Sequence, residues 1–121
     1  MSDRNSKLLI SDIIESIEKI NRYTQGLNFD NFLKEEIIVD AVIRNFTIIG
    51  EATARLPKIF KSGNKNIPWV KIKNFRNLLT HEYFGVDLKI TWKIIETELP
   101  FLYTSLREIY KSMPDSLFDS Q

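Results

Sequence analysis

Isoleucine recurs at Ile10, Ile13, Ile14, Ile17 and Ile20, while Asp12, Glu15, Glu18 and Lys19 fall between them. At the turn of an α-helix this spacing gathers the apolar set on one stripe and leaves the charges outside it. Gly26 ends the segment, and Asn28 or Asp30 is placed to cap a short turn carrying Phe29, Phe32 and Leu33 toward a core. A longer stripe follows, made of Ile38, Val42, Phe46, Ile49, Ala52 and Leu56 and widened by Ile37, Ala41 and Thr53. It stops at Pro57, whose ring would clash with the preceding turn. Gly50 lies inside this helix, where glycine costs about 1 kcal/mol relative to alanine. With Ala54 one turn later, it forms a strip of small residues that invites another helix to approach closely.

Lys58 to Ile67 contains Ser62-Gly63-Asn64 and reads as a basic loop. Pro68 suits the first turn of a third long helix, running from Pro68 or Trp69 to His81 or Tyr83 and ended by Gly85. Asp87 caps the next helix, with Leu88, Trp92, Ile95 and Leu99 as its buried stripe. Pro100 starts or kinks a last helix bearing Leu102, Leu106, Ile109 and Tyr110. Residues 1–6 and 114–121 are expected to fray. No stretch alternates with the period of two that a strand requires. The pattern therefore predicts an all-α protein, an antiparallel up-and-down bundle of four to five helices forming one domain over residues 1–121.

Composition narrows the chemistry more than the fold. The chain has 121 residues, 43% of them hydrophobic, enough for one core without cross-links. It has no cysteine, which removes disulfides, thiolate metal sites and a cysteine nucleophile. The longest apolar runs, such as Ile37-Ile38-Val39, are far too short to span a bilayer, and the polar stretch Met1 to Lys7 does not read as a signal peptide. A soluble cytoplasmic protein with no membrane partner is expected. The net charge is +1, yet no Asp or Glu occurs from Ala52 to Thr80. Arg55, Lys58, Lys61, Lys65, Lys71, Lys73 and Arg76 all lie in that stretch. Such a segment either attracts phosphates or is simply a solvated face.

The third long helix carries the residues with chemical potential. Projected at about 100° per residue from Arg76, Ile72, Phe75, Leu78 and Leu79 fall on one arc, while Tyr83, Arg76, Thr80, Asn77 and His81 fall on another. His81, the only histidine in the chain, can exchange protons near neutral pH. Arg76 offers a planar cation suited to a phosphate oxygen, and Asn77 lies one turn before His81. This set suits cleavage of a phosphodiester by a neighbouring 2′-hydroxyl, which needs proton transfer and charge stabilisation. One histidine per chain supplies a base or an acid but not both, so a symmetric pair of chains with facing polar arcs is expected. The same count argues against a structural zinc site, and no glycine-rich phosphate loop is present. Glu35-Glu36 reads as solvated surface.

Arg76-x4-His81-x-Tyr83 resembles the signature of the HepT toxins, a branch of the HEPN superfamily of helical ribonucleases. Ala41-Val42-Ile43-Arg44-Asn45, Ile48-Ile49-Gly50-Glu51-Ala52, Ile67-Pro68-Trp69 and Tyr83-Phe84-Gly85-Val86-Asp87 match the family pattern in order and spacing, over about Leu8 to Tyr110. The resemblance implies a helical homodimer with a composite site and RNA cleavage without a metal or other cofactor. It implies a toxin paired with an antitoxin of the MNT type, a minimal nucleotidyltransferase. Arg76 and His81 would then be catalytic, Asn77 and Thr80 supporting, and Tyr83 the acceptor of an AMP group that blocks the site. Lys65, Lys71 and Lys73 are candidate RNA contacts. The alternative is a catalytically silent HEPN-like module that binds RNA or nucleotide or scaffolds a nucleotidyltransferase. Arg44 and Glu51 either border the cleft or form a structural ion pair, the second being favoured.

Overall fold

The computed structural model describes residues 5–81 and 87–114, with side chains described outside 76–81. Its first helix, α1, spans Ser6–Thr24. The Asn5 side chain accepts a hydrogen bond from the Leu8 amide at 2.9 Å, satisfying a backbone donor that a helix start leaves orphaned. Residues 5 and 6, expected to fray, are thus a cap and a first turn. Ile10, Ile13, Ile17 and Ile20 are fully buried, joined by Leu9, and Ile14 is half-buried. Gly26 follows with φ of 80°, a left-handed value that glycine reaches without a Cβ penalty.

Helix α2, Phe29–Lys34, is capped by Asn28, whose side chain accepts from the Asn31 amide at 2.8 Å. Phe32 is fully buried and Phe29 is partly so, but Leu33 stands 45% exposed, contrary to expectation. A helix this short has one inward side. Phe29 and Phe32, three residues apart, occupy it, and the next residue is turned about 100° away.

Helix α3, Glu36–Arg55, is the centre of the bundle. Val42, Phe46 and Ile49 are buried as the pattern predicts. The stripe begins at Val39 rather than Ile37, which is 84% exposed. Asn45 and Thr53 are buried as well. Thr53 Oγ1 donates to the Ile49 carbonyl at 2.8 Å, and Asn45 Nδ2 donates to the Ala41 carbonyl at 2.8 Å, while Asn45 Oδ1 has no partner. Gly50 is buried but Ala54 is exposed, so the strip of small residues does not form. Gly50 instead shares the buried side with Phe46 and Thr53, four and three residues away.

Lys58 to Ile67 is not merely a loop. Lys58–Ser62 forms a short helix, α4, and turns follow. Helix α5 spans Trp69–His81, α6 Leu88–Thr97 and α7 Leu99–Ser112. Asp87 caps α6 by accepting from the Lys89 and Ile90 amides, and Pro100 sits in the first turn of α7, where a missing N–H costs nothing. Among the described residues there are five long helices, two short ones and no strand. The count exceeds expectation because two connections are themselves helical.

Helix α3 packs on α1 along one side and on α5 along the other, α7 packs on α1, and α6 bridges α7 and α2. Phe46 and Phe75 meet edge to face at 5.5 Å, joining α3 to α5. Trp92 of α6 lies 4.9 Å from the Phe32 ring. Across α1 and α7 the Tyr103 hydroxyl donates to Glu18 at 2.8 Å and accepts from Arg107 at 3.1 Å. No described helix is long and apolar enough to cross a membrane.

Candidate functional site

The site is organised by the start of α5. Trp69 is 8% exposed, and its indole Nε1 donates to the Lys61 carbonyl at 3.2 Å and the Asn64 carbonyl at 3.0 Å. Its ring also packs against Phe60, centroids 6.0 Å apart. One side chain thereby fastens α4 and its following turn to the first turn of α5. Further along α5, Ile72 and Phe75 are buried and fix the rotation of the helix on the core. Val70 is 71% exposed, and Lys73 is half-exposed on the same outer side.

The helical backbone continues unbroken to His81. At about 100° per residue, positions 77, 80 and 81 fall on the side of Val70 and Lys73, while position 76, one turn after Ile72, falls between that side and the buried row. The backbone thus sets Asn77, Thr80 and His81 on the outer register of α5, with Arg76 at its edge in the row of Ile72. Their side chains lie outside the described residues, as do Tyr83 and Gly85.

Beside that register is a cleft of about 380 Å³, lined by Lys58, Lys61, Ser62, Lys65, Val70 and Lys73, with Trp69 beneath. Among the described residues no carboxylate lines it. Lys61 Nζ donates to the Thr53 carbonyl at 3.2 Å, near the end of α3. Its pKa is lowered from the ordinary value, first by burial and then by repulsion from Lys73 and Lys58. These lysines therefore sense one another without a neutralising partner in the cleft wall. A cluster of this sort attracts an anion with several charges.

Lys65 and Lys73, two of the three lysines expected to contact RNA, meet in this cleft. The third departs from expectation. Lys71 points its ammonium at Glu98, the residue between α6 and α7, 2.7 Å away, and its charge is already matched. Lys71 and Glu98 rim a more apolar depression of about 490 Å³ between α5 and α6, floored by Phe75, Ile90 and Ile94. Lys58 and Lys61 take the place of Lys71. Their signal in the sequence is the same stretch without acids, but reading it as a loop gave no reason to prefer them.

Arg44 and Glu51 are both exposed, and no ion pair joins them among the described residues. Two turns apart on α3, they reach in parallel toward solvent. Glu51 instead borders a small groove between α1 and α3 with Asp12 and Arg55.

The description Ribonuclease HepT-like belongs to a family model that matches residues 13–109. The probable ribonuclease HepT of Thermococcus cleftensis is 37% identical over 108 residues, covering 89% of this chain and 98% of that protein. A protein of Methanocaldococcus jannaschii, named as a gamma-glutamylcyclotransferase and candidate RNase, is 36% identical over 110 residues, which is 91% of this chain. This chain spans 50% of that longer relative. A candidate RNase of Caldanaerobacter subterraneus is 36% identical over 100 residues, 83% of this chain and 89% of the relative. No solved structure matches the chain. A match over so much of the bundle has one meaning: the chain belongs to the HepT-like ribonuclease family.

Proposed function

We propose that the protein is a metal-independent endoribonuclease that acts as the toxin of a toxin–antitoxin pair. The observation that carries this reading is the family match combined with the register of α5, which continues from the lysine cleft into Arg76, Asn77, Thr80 and His81. In this reading two chains pair with their α5 helices facing across a two-fold axis. One His81 takes the proton of the RNA 2′-hydroxyl as its oxygen attacks the adjacent phosphorus. The other gives a proton to the 5′-oxygen as the bond from phosphorus to that oxygen breaks, leaving a cyclic phosphate. Arg76 stabilises the added negative charge on the phosphorane, and Asn77 and Thr80 hold the imidazole and the substrate.

Tyr83 is the off switch. A nucleotidyltransferase antitoxin would transfer AMP from a nucleoside triphosphate to its hydroxyl, releasing pyrophosphate. The new phosphate, two residues from His81, would then fill the cleft and repel RNA by charge and bulk.

The test is expression of wild type, Arg76→Ala and His81→Ala in cells without an antitoxin, scored by growth and RNA integrity. Wild type should degrade RNA and arrest growth, with activity falling at least a hundredfold in either variant. Equal toxicity from all three removes the catalytic assignment. In the same assay Tyr83→Phe should stay toxic when the cognate nucleotidyltransferase is co-expressed; AMP incorporation equal to wild type would move the acceptor elsewhere.

A further inference from the structure

We infer that the cleft between α4 and α5 is a phosphodiester track, gripping single-stranded RNA by its backbone and leading it onto the motif side of α5. This inference rests on reading the chain as acting on RNA and adds where the strand outside the cut is held. Lys58, Lys61, Lys65 and Lys73 converge on one cleft of about 380 Å³ whose wall offers no carboxylate. That separates them from Lys71, which Glu98 neutralises, and from Arg107, which lies 3.8 Å from Glu18. The depressed pKa of Lys61 has the same origin: burial and like charges, relieved by an anion placed among them.

The geometry also sets the direction of the strand. Lys73 and Arg76 are three residues apart on α5, about 4.5 Å along the axis, and His81 lies about 12 Å beyond Lys73. A strand lying in the cleft thus runs from lysine to motif without crossing the core. Among the described residues the aromatic one in the wall, Trp69, is 8% exposed and committed to two carbonyls. Among the described residues, the cleft wall offers no open ring to stack on a base. Ser62 adds a hydroxyl donor to the lysine ammoniums. The contacts are of the kind made to phosphate and sugar, so the track tolerates any sequence. Selection of the cut site then falls to the residues around the motif.

The experiment measures binding of a short labelled single-stranded RNA over a range of salt, in a His81→Ala background so that the probe survives. Each phosphate neutralised on a single strand contributes a slope of about −0.7 in log K against log salt. The double variant Lys58→Gln/Lys65→Gln, at two exposed positions, should flatten the slope by about 1.4 and weaken binding roughly tenfold at moderate salt. Lys61→Gln, checked for a native circular dichroism spectrum, should add a smaller loss. Lys71→Gln should leave the slope unchanged, and a scrambled probe should bind equally well.

An unchanged slope in the double variant overturns the track, as does an equal loss in Lys71→Gln, which would mean diffuse attraction. Retained RNA binding with lost binding of a protein partner also overturns it. Cleavage is read separately with His81 intact. A flattened slope with no cleavage by wild type keeps the track and defeats the nuclease reading. Cleavage with an unaltered slope does the reverse.

Discussion

The pair α1 and α3 and the junction of α4 with α5 are built by opposite means. In the first, rows of isoleucine, valine and phenylalanine vanish from solvent, and stability comes from apolar surface removed from water at about 25 cal/mol per Å². In the second, Ile59 and Val70 stand 84% and 71% exposed, lysines share a cleft without acids, and one indole N–H ties two segments together. The core layer can lose a surface residue and keep its shape. The junction stores repulsion, since Lys58 and Lys73 both raise the cost of charging Lys61. That difference is what a binding surface requires: a scaffold indifferent to ligand, and an outer piece that gains when an anion arrives.

The contrast is broken most severely from the core side. Phe46→Ala deletes a ring that is 1% exposed and packed on Phe75, and should cost about 3–5 kcal/mol in urea denaturation. Val70→Ser, on the junction, should stay within about 0.5 kcal/mol of wild type in the same measurement. If the two were comparable, the division between scaffold and binding piece would be lost. Trp69→Phe is intermediate. It keeps a ring but leaves the Lys61 and Asn64 carbonyls without their donor, and should cost roughly 1–2 kcal/mol. Faster amide hydrogen exchange should be confined to α4 and its turn; loss of protection in α1 would show that the junction is not separable.

The smallest effect concerns pH. Folded Lys61 has a pKa below its ordinary 10.5, so near neutrality it is charged in both states and the folded state bears the cost. Between the lowered value and 10.5 the unfolded chain holds more protons, and stability rises with pH. Lys61→Gln should remove that rise from a comparison of urea midpoints at neutral and alkaline pH. An identical pH dependence in the variant would assign the effect to other groups.

The same contrast governs what the sequence reveals. Apolar residues repeating at helical spacing need only the turn of a helix to interpret, and they locate α1, α3, α5, α6 and α7, although Leu99 opens α7 rather than closing α6 and Tyr110 stays 37% exposed. Asn28, Asp87, Gly26 and Pro100 punctuate for local reasons and were legible too. The misses come where position depends on contact. Leu33 and Ile37 are apolar but lie at helix ends with nothing to cover them. Asn45 is polar yet enclosed, because α3 is covered on two sides. Helix α4 was hidden because Ser62-Gly63-Asn64 imitates a loop, and its hold depends on an indole seven residues beyond Ser62. The lysines were visible as a run without acids, but dividing them needed Glu98, which lies 27 positions from Lys71. The order Arg76-x4-His81 resembles a family signature in the sequence, and what the structure adds is that both positions lie on one helix, α5.

The bond from Trp69 to the turn after α4 has a consequence for measurement of length. Because the indole fixes the lysine turn to the first residue of α5, and α5 continues as helix to His81, the proposed grip and cut would be mounted on one ruler. On the proposed reading, the overhang between held phosphates and broken bond would be a constant of the chain rather than of the substrate. Shortening α5 by a turn would change that gauge by about 5.4 Å while leaving the lysine turn itself unchanged.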